Sequence, residues 1–142
     1  MDERIRKYQQ HIASAFQIGC HVTIRQKDFS GGGDIFCLRC PRSCDYRSMH
    51  LYGCYESARW DKKYIYYCPL GVIFIAVPID LGILQASVIS GPLLMGPPED
   101  FPERHGLPHF ETARVNDLAE IISAVFAPDS AAPPRQKLPA TY

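Results

Sequence analysis

The first apolar positions of the chain recur at helical spacing. Ile5, Tyr8, Ile12 and Phe16 are three or four residues apart, with charged and polar residues between them. This periodicity predicts an amphipathic helix over residues 3–17. Such a helix either packs on its own domain or pairs with a second copy of the chain, which would make the protein a homodimer.

Several later segments have the pattern of strands. Residues 20–25 alternate between polar and apolar with a period of two. Residues 64–68 and 71–79 are rich in tyrosine, isoleucine and valine, which favour strands. Residues 84–90 form a further apolar segment, and Gly82 can make the turn before it. The last two segments are therefore predicted to pair as an antiparallel hairpin.

Two more helices complete the predicted fold. One covers residues 47–60, and the other runs from Asn116 or Asp117, either of which can cap it, to Phe126. Strands and helices are segregated rather than alternating, which is typical of the α+β class. We therefore predict a central antiparallel β-sheet flanked by helices, with an irregular Cys-rich segment between the first strand and the others.

Glycine and proline indicate where this pattern is interrupted. Gly91-Pro92 is predicted to end the last strand, and the prolines of residues 96–110 predict an extended loop. The segment 128–142 is rich in proline and alanine, as flexible tails and linkers are. Residues 1–127 are then predicted to form one domain.

Length and charge exclude some functions. A chain of 142 residues suits one domain. Its 15 Lys and Arg balance its 15 Asp and Glu, so neither direct nucleic-acid binding nor an anionic membrane surface is favoured. The longest apolar run is about half of a membrane-spanning helix, and the charged N-terminus does not resemble a signal peptide. We expect a cytoplasmic protein.

Five of the six cysteines lie within one segment. Cys37, Cys40 and Cys44 have C-x2-C-x3-C spacing, and Cys54 and Cys68 follow. Closely spaced thiolates can bind zinc or an iron–sulfur cluster, with Cys68 as the fourth ligand and Cys54 as its substitute. Redox-active thiols, disulfides, or packed cysteines with no cofactor are the alternatives that the spacing leaves open.

The sequence has no recognisable enzyme motif, so a binding domain is expected rather than an enzyme. Two alternatives remain. One is a small thiol-dependent enzyme that uses Cys54 or Cys68 as nucleophile. The other is a structural zinc module that serves as an interaction surface.

The apolar segment from Tyr64 to Ile79 is too hydrophobic to face water on both sides. It either forms buried core or lines a ligand cavity. In the second case Trp60, Tyr66 and Phe74 are the residues that we expect to line the cavity.

Several short pieces of sequence form a pattern when they are taken in order. They are Phe36-Cys37, Cys44, Glu56-Ser57-Ala58, Tyr66-Tyr67-Cys68-Pro69-Leu70-Gly71, Ile75-Ala76-Val77-Pro78-Ile79 and Ile89-Ser90-Gly91-Pro92-Leu93. Together they resemble the PocR-type sensory domain, a ligand-binding variant of the PAS fold. The resemblance covers about Ile5 to Phe126, and Pro69-Leu70 replaces the histidine-alanine that is commoner in the family.

The resemblance implies a PAS-like sensor of a bacterial transcription regulator or histidine kinase. Such a domain binds a small molecule, for example a propanediol, and signals to a DNA-binding or kinase output domain in the same or another chain. It adds Phe36, Cys68, Leu70 and Gly71 to the ligand-binding residues.

Overall fold

The computed structural model describes residues 3–24, 46–69, 71–81, 84–96 and 107–126. Three helices and five strands lie in these ranges, and they are numbered in chain order. They are α1 (Glu3–Phe16), β1 (Gly19–Ile24), α2 (Tyr46–Trp60), β2 (Tyr64–Tyr67), β3 (Ile73–Leu81), β4 (Leu84–Met95), β5 (His109–Phe110) and α3 (Thr112–Val125).

The sheet is antiparallel along its main path, with the strand order β1-β4-β3-β2. The predicted hairpin is confirmed, because β3 and β4 pair in antiparallel register, with Leu81 and Leu84 as the pair nearest the turn. The short strand β5 pairs with the end of β4 in parallel. The predicted α+β class, with a central antiparallel sheet flanked by helices, is confirmed.

The two faces of the sheet are covered by different helices. On β3, the odd-numbered Ile73 and Ile75 belong to a core that also contains residues of α1 and α3, such as Ile12 and Ile122. The even-numbered Phe74 belongs to a second core, formed with residues of α2. This division follows from the alternation of side chains along a strand. We call these the α1/α3 face and the α2 face.

Helices α1 and α3 also contact each other. The rings of Tyr8 and Phe126 meet edge to face, with centroids 6.1 Å apart. Ile5 and Ile12 are the buried residues of α1, as the periodicity predicted. The prediction that this helix packs on its own domain is therefore confirmed, while pairing with a second copy stays a prediction.

Two predicted boundaries are wrong. Strand β4 does not end at Gly91-Pro92 but continues to Met95. A register irregularity opposite Ile73 and Ile75 accommodates the proline, which has no N–H to donate to a regular ladder. The last helix begins at Thr112 rather than at Asn116 or Asp117, because its first turn buries Val115. Its N-cap residue is Glu111, which makes no side-chain capping bond.

The remaining predictions fall partly outside the described residues. The expected loop 96–110 contains β5, a strand that its prolines did not suggest, and residues 97–106 are not described. Most of the Cys-rich segment, residues 25–45, and the segment 127–142 also lie outside the described ranges. The proposed domain boundary at residue 127 stays a prediction.

Candidate functional site

Buried polar side chains are distributed unequally between the two faces of the sheet. On the α1/α3 face, Ser90 places its hydroxyl 3.6 Å from the sulfur of Cys20, in otherwise apolar surroundings. On the α2 face, four polar side chains are buried: Thr23, His50, Ser57 and Ser87. Burying a polar group costs free energy unless it finds a hydrogen-bond partner. This concentration identifies the α2 face as the candidate site.

His50 and Tyr66 form the centre of this face. The Nδ1 atom of His50 lies 2.7 Å from the hydroxyl oxygen of Tyr66, so α2 and β2 share a buried hydrogen bond. The imidazole also meets the ring of Phe74 edge to face, at 4.7 Å between centroids. Because the His50 side chain is fully buried, this bond and these ring contacts fix its orientation.

The environment keeps the imidazole of His50 neutral. Burial lowers the pKa of His50 to about 4, and the charge of His21 on β1 contributes in the same direction. His21 follows Cys20 and therefore points to the α2 face. Both histidines thus lie on the side of the sheet where the buried polar groups are concentrated.

Gly53 allows the Tyr66 ring to lie directly against α2. A β-carbon at residue 53 would lie 2.5 Å from Cε1 of Tyr66 and 2.8 Å from Cζ. The ring has little room to retreat, since it is stacked between Tyr64 and Phe74 at centroid distances of 6.2 and 5.8 Å. The glycine therefore sets how closely helix and sheet approach at the site.

We expect the variant Gly53→Ala to be less stable than the wild type, by about 2 kcal/mol, because the new methyl group overpacks this contact. An ordinary glycine inside a helix gives the opposite result, a gain of about 1 kcal/mol on replacement by alanine. Urea unfolding measures the difference. In a Tyr66→Leu background, Gly53→Ala should lower the free energy of unfolding by less, because the ring that the methyl group meets is gone. A Gly53→Ala protein that is more stable than the wild type would contradict the packing described.

Thr23 and Ser87 face each other across β1 and β4 on the same side of the sheet. They are register partners, and both are buried. No described residue offers a hydrogen-bond partner to the Oγ1 atom of Thr23. A hydroxyl buried in this way leaves a donor and an acceptor available for another molecule.

A groove opens at the margin of this face, between α2 and β2. It has a volume of about 460 Å³. Its lining residues are Ser48, Met49, Tyr52, Tyr64, Ile65, Tyr66 and Tyr67. Burial raises the pKa of the Tyr64 hydroxyl, and a hydrogen bond with Tyr52 contributes in the same direction. Tyr66 contributes both to the groove and to the buried polar centre.

The structure brings together three of the predicted ligand-binding residues. Tyr66, Cys68 and Phe74 belong to one buried cluster on the α2 face. Trp60 is not among them: its side chain is 56% exposed, and its indole N–H points to Glu56 on the outer surface of α2. Trp60 is the last residue of α2, and its ring lies over the preceding turn beside Glu56 rather than against the sheet.

Gly71 forms the turn that leads from β2 to β3. Its N–H donates to the carbonyl oxygen of Cys68 at 2.8 Å, and its φ is +79°, a conformation that glycine adopts without strain. Phe36 and Leu70 lie outside the described residues, so their predicted role stays a prediction.

The cysteines are divided between the two faces. Cys54 and Cys68 are buried thiols in the cluster around Tyr66, while Cys20 lies on the α1/α3 face, where burial raises its pKa to about 11. The other three predicted metal ligands, Cys37, Cys40 and Cys44, lie outside the described residues. Within the ranges described, no group of three metal-binding side chains is present. The metal or iron–sulfur site stays a prediction.

Sequence reasoning missed three residues of the site: Thr23, His50 and Ser87. The alternation of β1 places the polar His21 and Thr23 on one side, and this pattern normally indicates a face exposed to water. Here Thr23 is buried instead, 1% exposed, and only the fold reveals that. The feature that indicates a binding site here is a polar strand face that is covered by protein instead of water.

Known proteins offer few comparisons. No family model matches the chain, and no curated protein matches it. Among solved structures, the crystal structure of the GAF domain/HD domain protein from Geobacter sulfurreducens matches with 12% sequence identity and a TM-score of 0.45, over 87% of each chain. This is a loose similarity of shape, so function is argued below from the residues of this chain.

None of the described helices combines the length and hydropathy that crossing a membrane requires.

Proposed function

We propose that this chain is a sensory domain that binds a small molecule on the α2 face of its sheet. The observation that carries the proposal is the buried Oγ1 of Thr23, which no described residue pairs. A ligand with a hydroxyl, carbonyl or carboxyl group would supply the missing partner. The resemblance to PocR-type domains supports the same general function.

The surroundings of Thr23 indicate what else the ligand carries. Ile89 of β4 lies on the same face as Thr23 and is the register partner of His21. Phe74 and Ala76 of β3 extend this face as an apolar surface. A small molecule with one polar end and an apolar body fits such a mixture. Small alcohols, diols, ketones and carboxylic acids have this composition.

A contact between the two sides of the sheet suggests how binding is transmitted. Lys63, in the turn between α2 and β2, forms an ion pair with Glu120 of α3. This pair is a contact through which a change in the position of α2 can reach α3. Binding would shift the population between two positions of α2, and α3 would present the result to an output domain.

The experiment is a thermal-unfolding screen of the whole chain against short alcohols, diols, ketones and carboxylic acids. At least one compound is expected to raise the Tm through mass action. Thr23→Val keeps the shape but removes the hydroxyl, and we expect about tenfold weaker binding, or about 1.4 kcal/mol.

The matched control is Ser90→Ala, which removes a buried hydroxyl on the opposite face of the sheet. It is expected to bind as the wild type does. Without ligand, Thr23→Val should be more stable than the wild type by about 1 kcal/mol, because an unpaired buried hydroxyl has gone. Equal affinity in Thr23→Val and the wild type would refute the assignment of Thr23.

A further inference from the structure

The groove between α2 and β2 is lined mainly by tyrosines. Four of its seven lining residues are of this type: Tyr52, Tyr64, Tyr66 and Tyr67. Its volume of about 460 Å³ lies in the range of pockets that hold small molecules. The side chains of Tyr52 and Tyr67 are 57% and 72% exposed, so the groove is open to a ligand from solvent.

The rings of the groove stand in two orientations. Tyr64 and Tyr66 lie on the same side of β2, and their rings are nearly parallel, at 22° with centroids 6.2 Å apart. Tyr52 belongs to α2, and its ring stands at 73° to the ring of Tyr64, with centroids 6.1 Å apart. A molecule in the groove therefore meets rings from the helix and rings from the strand, set almost at right angles.

Such an arrangement suits a positively charged organic group. The face of an aromatic ring carries partial negative charge and attracts an ammonium ion, and cages of several rings are the usual binding sites of quaternary ammonium groups. Met49 adds a polarisable side chain to the lining, which suits the methyl groups of such an ion. A neutral molecule of the same shape would gain the same contact area without the electrostatic attraction.

The charged side chains close in sequence to the groove have partners of their own. Lys63, which precedes Tyr64, forms an ion pair with Glu120 of α3. Glu56 is paired with Arg59. None of the described residues that line the groove is charged. The attraction for a cation would therefore come from the rings and not from a carboxylate.

We propose that the groove between α2 and β2 binds a small organic cation, an alkylammonium compound, through the rings of Tyr52, Tyr64 and Tyr66. This goes beyond the proposed function, because Thr23 is not among the lining residues of the groove. The hydroxyl, carbonyl and carboxyl groups expected at Thr23 also carry no positive charge. The two sites can therefore fail separately.

The test compares two probes of the same shape. Choline carries a trimethylammonium group, and in 3,3-dimethylbutan-1-ol a carbon atom replaces the nitrogen, which makes the probe neutral. Nuclear magnetic resonance of the whole chain, isotope-labelled at the methionine methyl groups, shows where each probe binds. Met49 lines the groove, whereas Met95 packs against the core of the α1/α3 face and serves as the internal control.

Choline should shift the methyl signal of Met49 and leave that of Met95 unchanged. Its Kd should be at least about fivefold lower than that of the neutral probe, because only choline is attracted by the charge of the ring faces. Equal Kd values for the two probes would overturn the proposal. So would a Met49 signal that choline does not shift.

Substitutions at Tyr52 separate the ring from its hydroxyl. Tyr52→Leu should weaken choline binding about threefold, whereas Tyr52→Phe keeps a ring and should bind within about twofold of the wild type. Because Tyr52 is mostly exposed, both variants are expected to fold.

The matched control is Tyr55→Leu, which removes an exposed tyrosine of the same helix that is not among the lining residues. It should bind choline as the wild type does. An equal loss of affinity in Tyr52→Leu and Tyr55→Leu would overturn the assignment of the cation to the groove.

Discussion

Replacing Gly91 with valine is expected to destabilise the protein by about 5 kcal/mol, enough to unfold an ordinary domain. The φ of Gly91 is +147°, where residues with a side chain are strained. A β-carbon there would also lie 2.8 Å from the carbonyl oxygen of Ile73 and 3.3 Å from Cα of Phe74. These are backbone atoms of the adjacent central strand, so they cannot move aside as a flexible side chain would.

Circular dichroism during urea unfolding measures this effect. The control is Ser90→Ala, a change at the neighbouring buried position of the same strand that removes only a weak contact with sulfur. It should cost about 1 kcal/mol or less. If the free energy of unfolding of Gly91→Val lay within about 1 kcal/mol of the wild-type value, the pairing of β3 and β4 near Gly91 would differ from the one described.

The second large effect is a loss of stability in mild acid, caused by His50. In the unfolded chain His50 takes up a proton near the ordinary histidine pKa of 6.5, whereas burial lowers the pKa in the folded protein to about 4. Between these values the unfolded state binds more protons than the folded state. The free energy of unfolding should therefore fall as the pH falls from 6.5 to about 4, by about 3 kcal/mol.

Unfolding at several pH values in this window, with the wild type and His50→Gln, isolates the contribution of this residue. Glutamine can still bond to the Tyr66 hydroxyl but does not titrate. The difference in stability between the two proteins should shrink steadily below pH 6.5, because only the wild type has a titrating imidazole at residue 50. Parallel curves for the two proteins would mean that His50 is not buried in its neutral form.

Local sequence patterns were sufficient to predict most of the fold. The helix over residues 3–17 was predicted from its apolar spacing, and the hairpin of β3 and β4 from strand-favouring residues on either side of Gly82. The helix over residues 47–60 was predicted as well, although its apolar positions show no clear period. The continuation of β4 through Gly91-Pro92 was missed. Glycine-proline usually interrupts a strand, and only the irregular pairing with β3 shows why it does not do so here.

The candidate site was less accessible from the sequence. Tyr66 and Phe74 were predicted because they lie in an unusually apolar segment. The contact of His50 with Tyr66 was missed, because the two residues are sixteen positions apart and their contact depends on how α2 packs on the sheet. Thr23 had the pattern of an exposed strand position, and its burial depends on parts of the chain far from it in sequence. Contacts between distant segments cannot be deduced from local patterns.

Buried polar groups are distributed unequally between the two faces of the sheet. The α1/α3 face is an apolar core that holds the terminal helices against the sheet. On the α2 face, buried polar groups lie beside an aromatic floor, where ordinary packing would favour apolar side chains alone. This arrangement supports the proposal that a ligand binds on the α2 face.

The most direct test of this account is nuclear Overhauser spectroscopy on the methyl-labelled protein with a compound from the thermal screen. Val88 and Ile89 are neighbours on β4 whose side chains point to opposite faces, Val88 to the α1/α3 face and Ile89 to the α2 face. We predict contacts from the compound to the methyl groups of Ile89 and Thr23. Contacts to Val88 and Ile75 instead would contradict the assignment of the α2 face as the sensing face.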